Sequence, residues 1–266
     1  ARFSQETNAL LKRVIFDEKR DYLDLFTIEE AFVDDQLADI YGLPHPAESP
    51  DAGWVSTSST DRAGVLGEGA VLASFSKFTD TSPTQRGILV RNRLMCLPIE
   101  PPPPTGNGEQ PPQPEGAIVC KKDRYLEHTA SSSCNACHSQ MDPIGFGLEN
   151  YDIEGRFRAH DDGQPGCAID GIGTLPGFGE FHGPKELAHK LVDNKLVGPC
   201  FVKQLTSFEI GRPLSNDEAA TIAKAWDDKF EAGDANHGRR LDALILAPIA
   251  SDEFVIKREP TTSSTA

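Results

Sequence analysis

Two cysteines and a histidine, Cys134, Cys137 and His138, form the most constraining pattern in the chain. On a helix, residues three positions apart share a face, so both thiols can reach the two vinyl groups along one edge of a porphyrin. The next residue can then bring its imidazole beneath the ring and bind the iron from the proximal side. The C-x-x-C-H spacing therefore predicts one covalent haem c, with the cysteines as thioether anchors and His138 as an iron ligand.

Two other kinds of site use a C-x-x-C pair and remain alternatives. A structural zinc site needs a second Cys or His pair at similar spacing, whereas a thioredoxin-like redox pair normally opens a helix after a strand. The sequence predicts no strand before Cys134. The remaining cysteines are scattered: Cys96, Cys120, Cys167 and Cys200. Haem is the interpretation that uses both thiols and His138.

The four cysteines outside the motif bear on the compartment. An even number fits two disulfides in an oxidising environment, and four cysteines allow three connectivities between which the spacing does not choose. Buried free thiols are the alternative. Because haem is attached covalently outside the bacterial cytoplasm, we predict a periplasmic or extracellular, cell-surface protein.

The 266-residue chain is acidic, with a formal net charge of −15. This charge would repel nucleic-acid phosphates, so a nucleic-acid partner is not expected. It favours docking of a basic redox partner, with association rates that fall as salt rises; solubility alone is the alternative explanation. No apolar run approaches the ~20 residues that a membrane helix needs, so no transmembrane segment is predicted.

The patterning predicts a mainly α protein, in which a cytochrome-c-like helical haem domain carries long Pro/Gly-rich loops and little β structure. Twenty prolines and 23 glycines support the long loops. Five regions are predicted: an N-terminal helical region 1–96, a Pro-rich linker 97–116, a haem-binding region 117–183, a C-terminal helical region 184–257 packing on it, and a disordered tail 258–266.

Local signals predict where several helices begin and end. A capping box at Thr27 predicts a helix that runs to Tyr41 and stops at Gly42. Ser82 is a predicted N-cap with proline at the next position. A second capping box, Ser215 to Glu218, opens a later helix. Pro143 is predicted to end the helix that carries the haem motif.

The attachment stretch continues as Met141-Asp-Pro-Ile-Gly-Phe-Gly-Leu-Glu-Asn-Tyr-Asp152, followed by Gly155-Arg-Phe-Arg158. With Thr81-Ser-Pro-Thr-Gln-Arg-Gly87 and Phe208-Glu-Ile-Gly-Arg-Pro213, it resembles the large exported bacterial cytochrome-c-like proteins that carry adjoining domains of unknown function, of the DUF1592, DUF1588 and DUF1585 types. Because those proteins are usually longer at the N-terminus, the resemblance implies that this chain is a C-terminal portion.

Further residues are candidates for holding the haem. Pro143 is expected to make a carbonyl accessible to the second imidazole nitrogen of His138. Arg156 and Arg158, and also Arg124, are candidates for pairing with propionates, with a solvated surface arginine as the alternative for each.

The sixth iron ligand has two main candidates. His128 lies on the helix entering the haem segment and matches a position of the resembled family, whereas Met95 can reach across from the preceding helix. Met141 lies on the proximal side with His138. An open or water-bound iron is a further alternative, and the remaining histidine candidates are His160, His182 and His189.

The function predicted is that of a monohaem module that transfers electrons to or from another exported redox protein or domain. Two alternatives remain open. One is a haem-containing catalytic subunit, peroxidase- or oxygenase-like, with an open iron position. The other is a structural subunit of a larger exported assembly.

Overall fold

The computed structural model describes residues 2–47, 49–99, 120–130, 132–231 and 240–249, without the side chains of 127–128, 132–133, 225–231 and 246–249. Most of the predicted linker 97–116, the whole tail 258–266 and the side chain of His128 therefore lie outside the described residues. No described helix is long and apolar enough to cross a membrane.

The first part of the chain forms short elements: α1 (Arg2–Leu11) with a π-helical continuation (Lys12–Asp17), α2 (Asp24–Thr27), β1 (Glu30–Val33), α3 (Asp35–Tyr41), β2 (Gly53–Ser56), a 3-10 turn (Val65–Gly67), α4 (Gly69–Ser74) and α5 (Pro83–Ile88) with a second π-helical continuation (Leu89–Leu94).

The second part carries longer helices around two hairpins: α6 (Lys121–Thr129), α7 (Ser132–Phe146), β3 (His160–Asp161), β4 (Gln164–Ala168), β5 (Ile172–Leu175), β6 (Gly179–His182), α8 (Gly183–Asp193), α9 (Val197–Ile210), α10 (Asn216–Glu231) and α11 (Leu241–Ile249).

The predicted fold class is wrong. The described part of the chain is mixed, with strands as well as helices. The strands of the described chain pair as three separate antiparallel sheets, β1 with β2, β3 with β4 and β5 with β6. The glycine-rich region before α8, where little β structure was expected, contains four short strands. Its turn glycines, Gly177 and Gly179, both have φ +85, which lets the chain reverse and pair β5 with β6. The molecule is therefore not a cytochrome-c-like all-helical fold.

The predicted helix from Thr27 to Tyr41 is wrong in its first half. Glu30–Val33 is strand β1, in which Phe32 pairs with Trp54 of β2 and their rings meet edge to face at 5.4 Å. Aromatic cross-strand pairs of this kind stabilise a hairpin, so tertiary pairing overrides the capping-box signal. The helix starts only at α3, where the carboxylate of Asp34 accepts a hydrogen bond from the backbone N–H of Leu37.

Other local signals are confirmed. Ser82 caps α5 by accepting from the N–H of Gln85. Ser215 and Glu218 form the reciprocal bonds of a capping box, N–H of each to the side chain of the other. Gly42 and Gly211 end α3 and α9 in the left-handed conformation, at φ +67 and +69.

The main hydrophobic core draws on distant parts of the chain. Val14 of the first π-helical turn, Ile144 of α7, Leu187 of α8, Val202 of α9 and Leu244 of α11 are all buried in it. Helix α7, which carries the C-x-x-C-H motif, is therefore anchored in the common core near its C-terminal end.

Two disulfides join these parts covalently: Cys96 with Cys200, and Cys120 with Cys167. The prediction of two disulfides is confirmed, and the structure selects one of the three connectivities. The first links the end of the α5 segment to α9. The second links the start of α6 to strand β4.

Candidate functional site

Helix α7 carries all three residues of the C-x-x-C-H motif. Cys134 and Cys137 are the two free cysteines of the chain, and both are partly exposed. Because the other four cysteines are consumed by disulfides, these two thiols are the ones available for chemistry. Their spacing on a helix puts both on one face, as the motif requires.

The imidazole of His138 has a carboxylate partner one helical turn further on. Its Nδ1 lies 2.8 Å from Oδ2 of Asp142. The other carboxylate oxygen of Asp142 accepts a 2.8 Å hydrogen bond from the hydroxyl of Thr84. The Asp142 side chain is only 4% exposed, whereas that of His138 is 21% exposed. The acceptor is therefore held inside the protein while the imidazole reaches towards the surface.

The prediction that Pro143 ends this helix is wrong. Helix α7 continues through Pro143 to Phe146. A proline inside a helix removes one backbone hydrogen bond, but here the helix is held from outside by its neighbours. The side chain of Asp142 is a partner of the His138 imidazole, where a backbone carbonyl near Pro143 was expected.

Helix α5 is packed against α7 with almost no space between the backbones. A Cβ atom on Gly87 would overlap with the carbonyl of Met141, and one on Gly145 would overlap with the carbonyl of Pro83. Glycine at both crossing points allows this approach. The crossing brings Thr84 of α5 to Asp142 of α7.

A buried cluster of charged side chains lies just beyond the C-terminal end of α7. We call it the Glu149 cluster: Glu149, Arg86, Lys121, Arg158 and Thr81. The carboxylate of Glu149 lies 3.3 Å from Arg86, 3.4 Å from Lys121 and 3.0 Å from Arg158. Thr81 donates its hydroxyl to the same carboxylate. Three cations and one hydroxyl therefore converge on a single buried anion.

Arg86 also forms hydrogen bonds with the backbone of the segment that follows α7. It is fully buried and donates to the carbonyl oxygens of Leu148 and Tyr151, each at 2.7 Å. Burial lowers the pKa of Arg86, and the charge of Glu149 opposes that shift. The guanidinium thus fixes the turn after α7 relative to α5.

A phenol lies on the third helix of this group. Tyr125 of α6 is buried, and its ring meets Phe146 edge to face at 5.6 Å. Burial raises the pKa of Tyr125 to about 12, and hydrogen bonds with Ser82 and Thr84 act in the opposite direction. Helix α6 therefore packs beside the same hydroxyl that Asp142 uses.

Comparison with known families now adds one finding. Residues 62–161 match a family model described as a protein of unknown function, DUF1588. The matched family is called PSCyt3. It occurs in cytochrome-c-related multidomain proteins. The DUF1588 part of the predicted resemblance is thereby confirmed, while the DUF1592 and DUF1585 parts stay predictions. No curated protein and no solved structure matches the chain.

The PSCyt3 match contains the whole arrangement around α7. It begins at Arg62, covers the C-x-x-C-H motif and the Thr84–Asp142–His138 chain of contacts, and ends beyond the last member of the Glu149 cluster. The remaining chain, 1–61 and 162–266, lies outside the match.

The three predicted propionate partners occupy different surroundings. Arg158 is 9% exposed and belongs to the Glu149 cluster. Arg156 is exposed and pairs with Glu154 at 2.9 Å. Arg124 lies on α6, partly buried. Propionate pairing stays a prediction for all three, and Arg156 is the most exposed of them.

The candidate sixth ligands are not decided by the fold. The side chain of His128 lies outside the described residues, and Met95 packs, partly buried, against the main core next to the Cys96 disulfide. Met141 is buried within α7. Among the other histidines, His160 and His182 are exposed on strands and His189 lines a polar cleft beside α8.

Sequence reasoning missed Asp142 and Thr84. Asp142 carries a usable signal, since a carboxylate four residues after a histidine shares its helical face. The expected break at Pro143 concealed that signal. Thr84 is 58 residues away from Asp142, and nothing in the local pattern connects the two.

Proposed function

We propose that the chain is a module carrying one haem c, which transfers electrons to or from another exported redox protein. Cys134 and Cys137 hold the porphyrin through thioethers, and His138 binds the iron. One observation carries this proposal: the two free cysteines of the chain share a face of α7 and adjoin a histidine whose Nδ1 is already bonded to a carboxylate.

The donor set fits the group. Each thiol can add across one vinyl group, its sulfur bonding to one carbon and its proton to the other, so no oxidant is consumed. A neutral imidazole protonated at Nδ1 keeps its lone pair on Nε2, the atom that would bind iron. The haem would supply a reversible one-electron step. Arg156, which is exposed, is proposed to pair with a propionate.

The distal ligand is part of the proposal. His128 is the first candidate because its helix, α6, packs directly on α7. Met95 is the second, and it would raise the reduction potential relative to a second histidine. The two ligand sets therefore predict different potentials for the same module.

Charge and disulfides support the partner and the compartment. A net charge of −15 favours a basic redox partner over an acidic one. Two disulfides support an oxidising compartment, in agreement with export to the periplasm or cell surface.

Expression with the bacterial haem-attachment machinery tests the proposal. We expect the intact mass to rise by one haem and the pyridine haemochrome spectrum to be that of two thioether bonds. Cys134→Ala and Cys137→Ala should each shift the spectrum to that of a single thioether, and the double variant should lose covalent haem. Wild-type protein without covalent haem would overturn the proposal.

A second candidate function is peroxide chemistry at an open iron. The Asp142 carboxylate favours it, because a proximal histidine bonded to an anion pushes electron density towards the iron. Carbon monoxide separates the two functions. Rapid binding to the reduced protein would support an open iron, whereas a sixth protein ligand would make binding slow.

A further inference from the structure

We propose that Asp142, held in place by Thr84, is the positioning residue for His138 and lowers the reduction potential of the haem. This inference rests on the proposed function, because it concerns the iron ligand of that haem. It assigns a role to two residues outside the C-x-x-C-H motif, one of which lies on a different helix.

Each of the two carboxylate oxygens of Asp142 has its own polar partner. Oδ2 lies 2.8 Å from His138 Nδ1, and Oδ1 accepts from the Thr84 hydroxyl at 2.8 Å. With the side chain 4% exposed, water competes little for either oxygen. The carboxylate therefore has one favoured orientation, and that orientation aims Oδ2 at the imidazole.

The backbone makes this orientation rigid. Thr84 sits between Pro83 and Gly87, the two α5 residues whose backbones touch α7 at Gly145 and Met141. A shift of either helix would move the Thr84 hydroxyl relative to Asp142. The close crossing thus sets the distance between donor and carboxylate.

The charge of the acceptor has a consequence for iron. A carboxylate accepting from Nδ1–H makes the imidazole a stronger electron donor than a neutral carbonyl does. A more electron-rich ligand stabilises ferric over ferrous iron, so the potential falls. The structure puts an anion where the sequence pattern suggested a carbonyl, and the potential should be correspondingly lower.

The test compares two neutralised carboxylates in haem-loaded protein. Asp142→Asn keeps the shape of the side chain and removes its charge. Asp123→Asn removes the same charge from an exposed position of α6. In a spectroelectrochemical titration, we expect the midpoint potential to shift to a clearly more positive value in Asp142→Asn and to change much less in Asp123→Asn. Equal shifts, or none, would overturn the inference.

Thr84 provides an independent variant if Asp142→Asn fails to accumulate. Thr84→Val removes the donor that fixes the carboxylate, and we expect a smaller positive shift of the midpoint potential. Thr84→Ser keeps the hydroxyl and should restore the wild-type value. A negative shift or no shift in Thr84→Val would contradict the proposed role of Thr84.

The two proposals fail in different ways. Wild-type protein without covalent haem defeats the proposed function. Wild-type protein with haem, and with a potential that is insensitive to Asp142 and Thr84, leaves the haem intact and defeats only the positioning role.

Discussion

Two buried clusters of charged side chains differ in what surrounds their carboxylates. In the Glu149 cluster, one carboxylate faces three cations. In a second group, the carboxylates of Glu6 and Glu68 lie close together. We call this group the Glu68 cluster, and it consists of Glu6, Glu68, Tyr41, Arg62 and Thr7. Tyr41 donates to Glu6 at 2.6 Å, and Thr7 donates to Glu68.

Among the described residues, no cation is bonded to the carboxylates of the Glu68 cluster. The guanidinium of Arg62 lies over the rings of Tyr41 and Tyr151, at 3.9 and 4.4 Å, and donates to backbone carbonyls. Burial raises the pKa of Glu6 to about 7. Burial, together with the charge of Glu6, raises the pKa of Glu68 to about 8.

The two clusters should therefore respond differently to substitution and to pH. The Glu149 cluster joins α5, α6 and the turn after α7 by ionic contacts, so its integrity depends on having every partner present. The Glu68 cluster holds protons near neutral pH, so the stability of the N-terminal helices should depend on pH.

The largest effect is expected from Arg86→Met. This change leaves Glu149 with one cation fewer and leaves the carbonyls of Leu148 and Tyr151 without their buried donor. Breaking a buried ion pair costs about 3–5 kcal/mol of unfolding free energy. Chemical denaturation measures the loss. The matched control, Arg156→Met, removes an exposed pair and should cost about 0–1 kcal/mol. Equal losses would show that the buried ion pairs of the Glu149 cluster contribute no more to the free energy of unfolding than an exposed pair does.

The next effect concerns pH. An unfolded Glu68 releases its proton near pH 4.5, whereas the folded protein retains it up to about pH 8. Stability should therefore be highest below about pH 4.5 as far as this group is concerned, and should fall as pH rises to about 8. One pKa unit corresponds to about 1.4 kcal/mol, so the change amounts to a few kcal/mol.

Glu68→Gln tests whether this carboxylate is the source of the pH dependence. Because glutamine cannot ionise, the variant should lose much of the decline between pH 5 and 8 and should be more stable than wild type at pH 8. Glu154→Gln, at an exposed position, should follow the wild-type curve. A Glu68→Gln curve parallel to wild type would mean that the buried carboxylate is not the source of the pH dependence.

The smallest effect is expected from Gly87→Ala. The added methyl group would overlap with the Met141 carbonyl and push α5 away from α7. Overpacking of this kind costs about 1–3 kcal/mol. Gly166→Ala is the control, since a Cβ there meets no atom within 4 Å. If Gly87→Ala were as stable as its control, the charged cluster alone would be sufficient to hold the two helices together.

Local features were predictable because they depend on near neighbours. The cap at Ser82, the capping box at Ser215 and the turn at Gly211 all act within a few residues, and each is confirmed. The prediction of a helix from Thr27 is wrong because that segment depends on a distant partner. Its first half pairs with a strand more than twenty residues further along, and periodicity within the segment does not contain that partner.

The sequence alone was sufficient to select the residues proposed to hold a haem, because the spacing of Cys134, Cys137 and His138 on one helix is a local property. It also made two disulfides an expectation from an even cysteine count. Only the tertiary structure decided which cysteines pair, which carboxylate supports His138 and which carboxylates are buried without a cation. These outcomes depend on contacts across tens of residues, where the crossing of helices brings side chains together and excludes water.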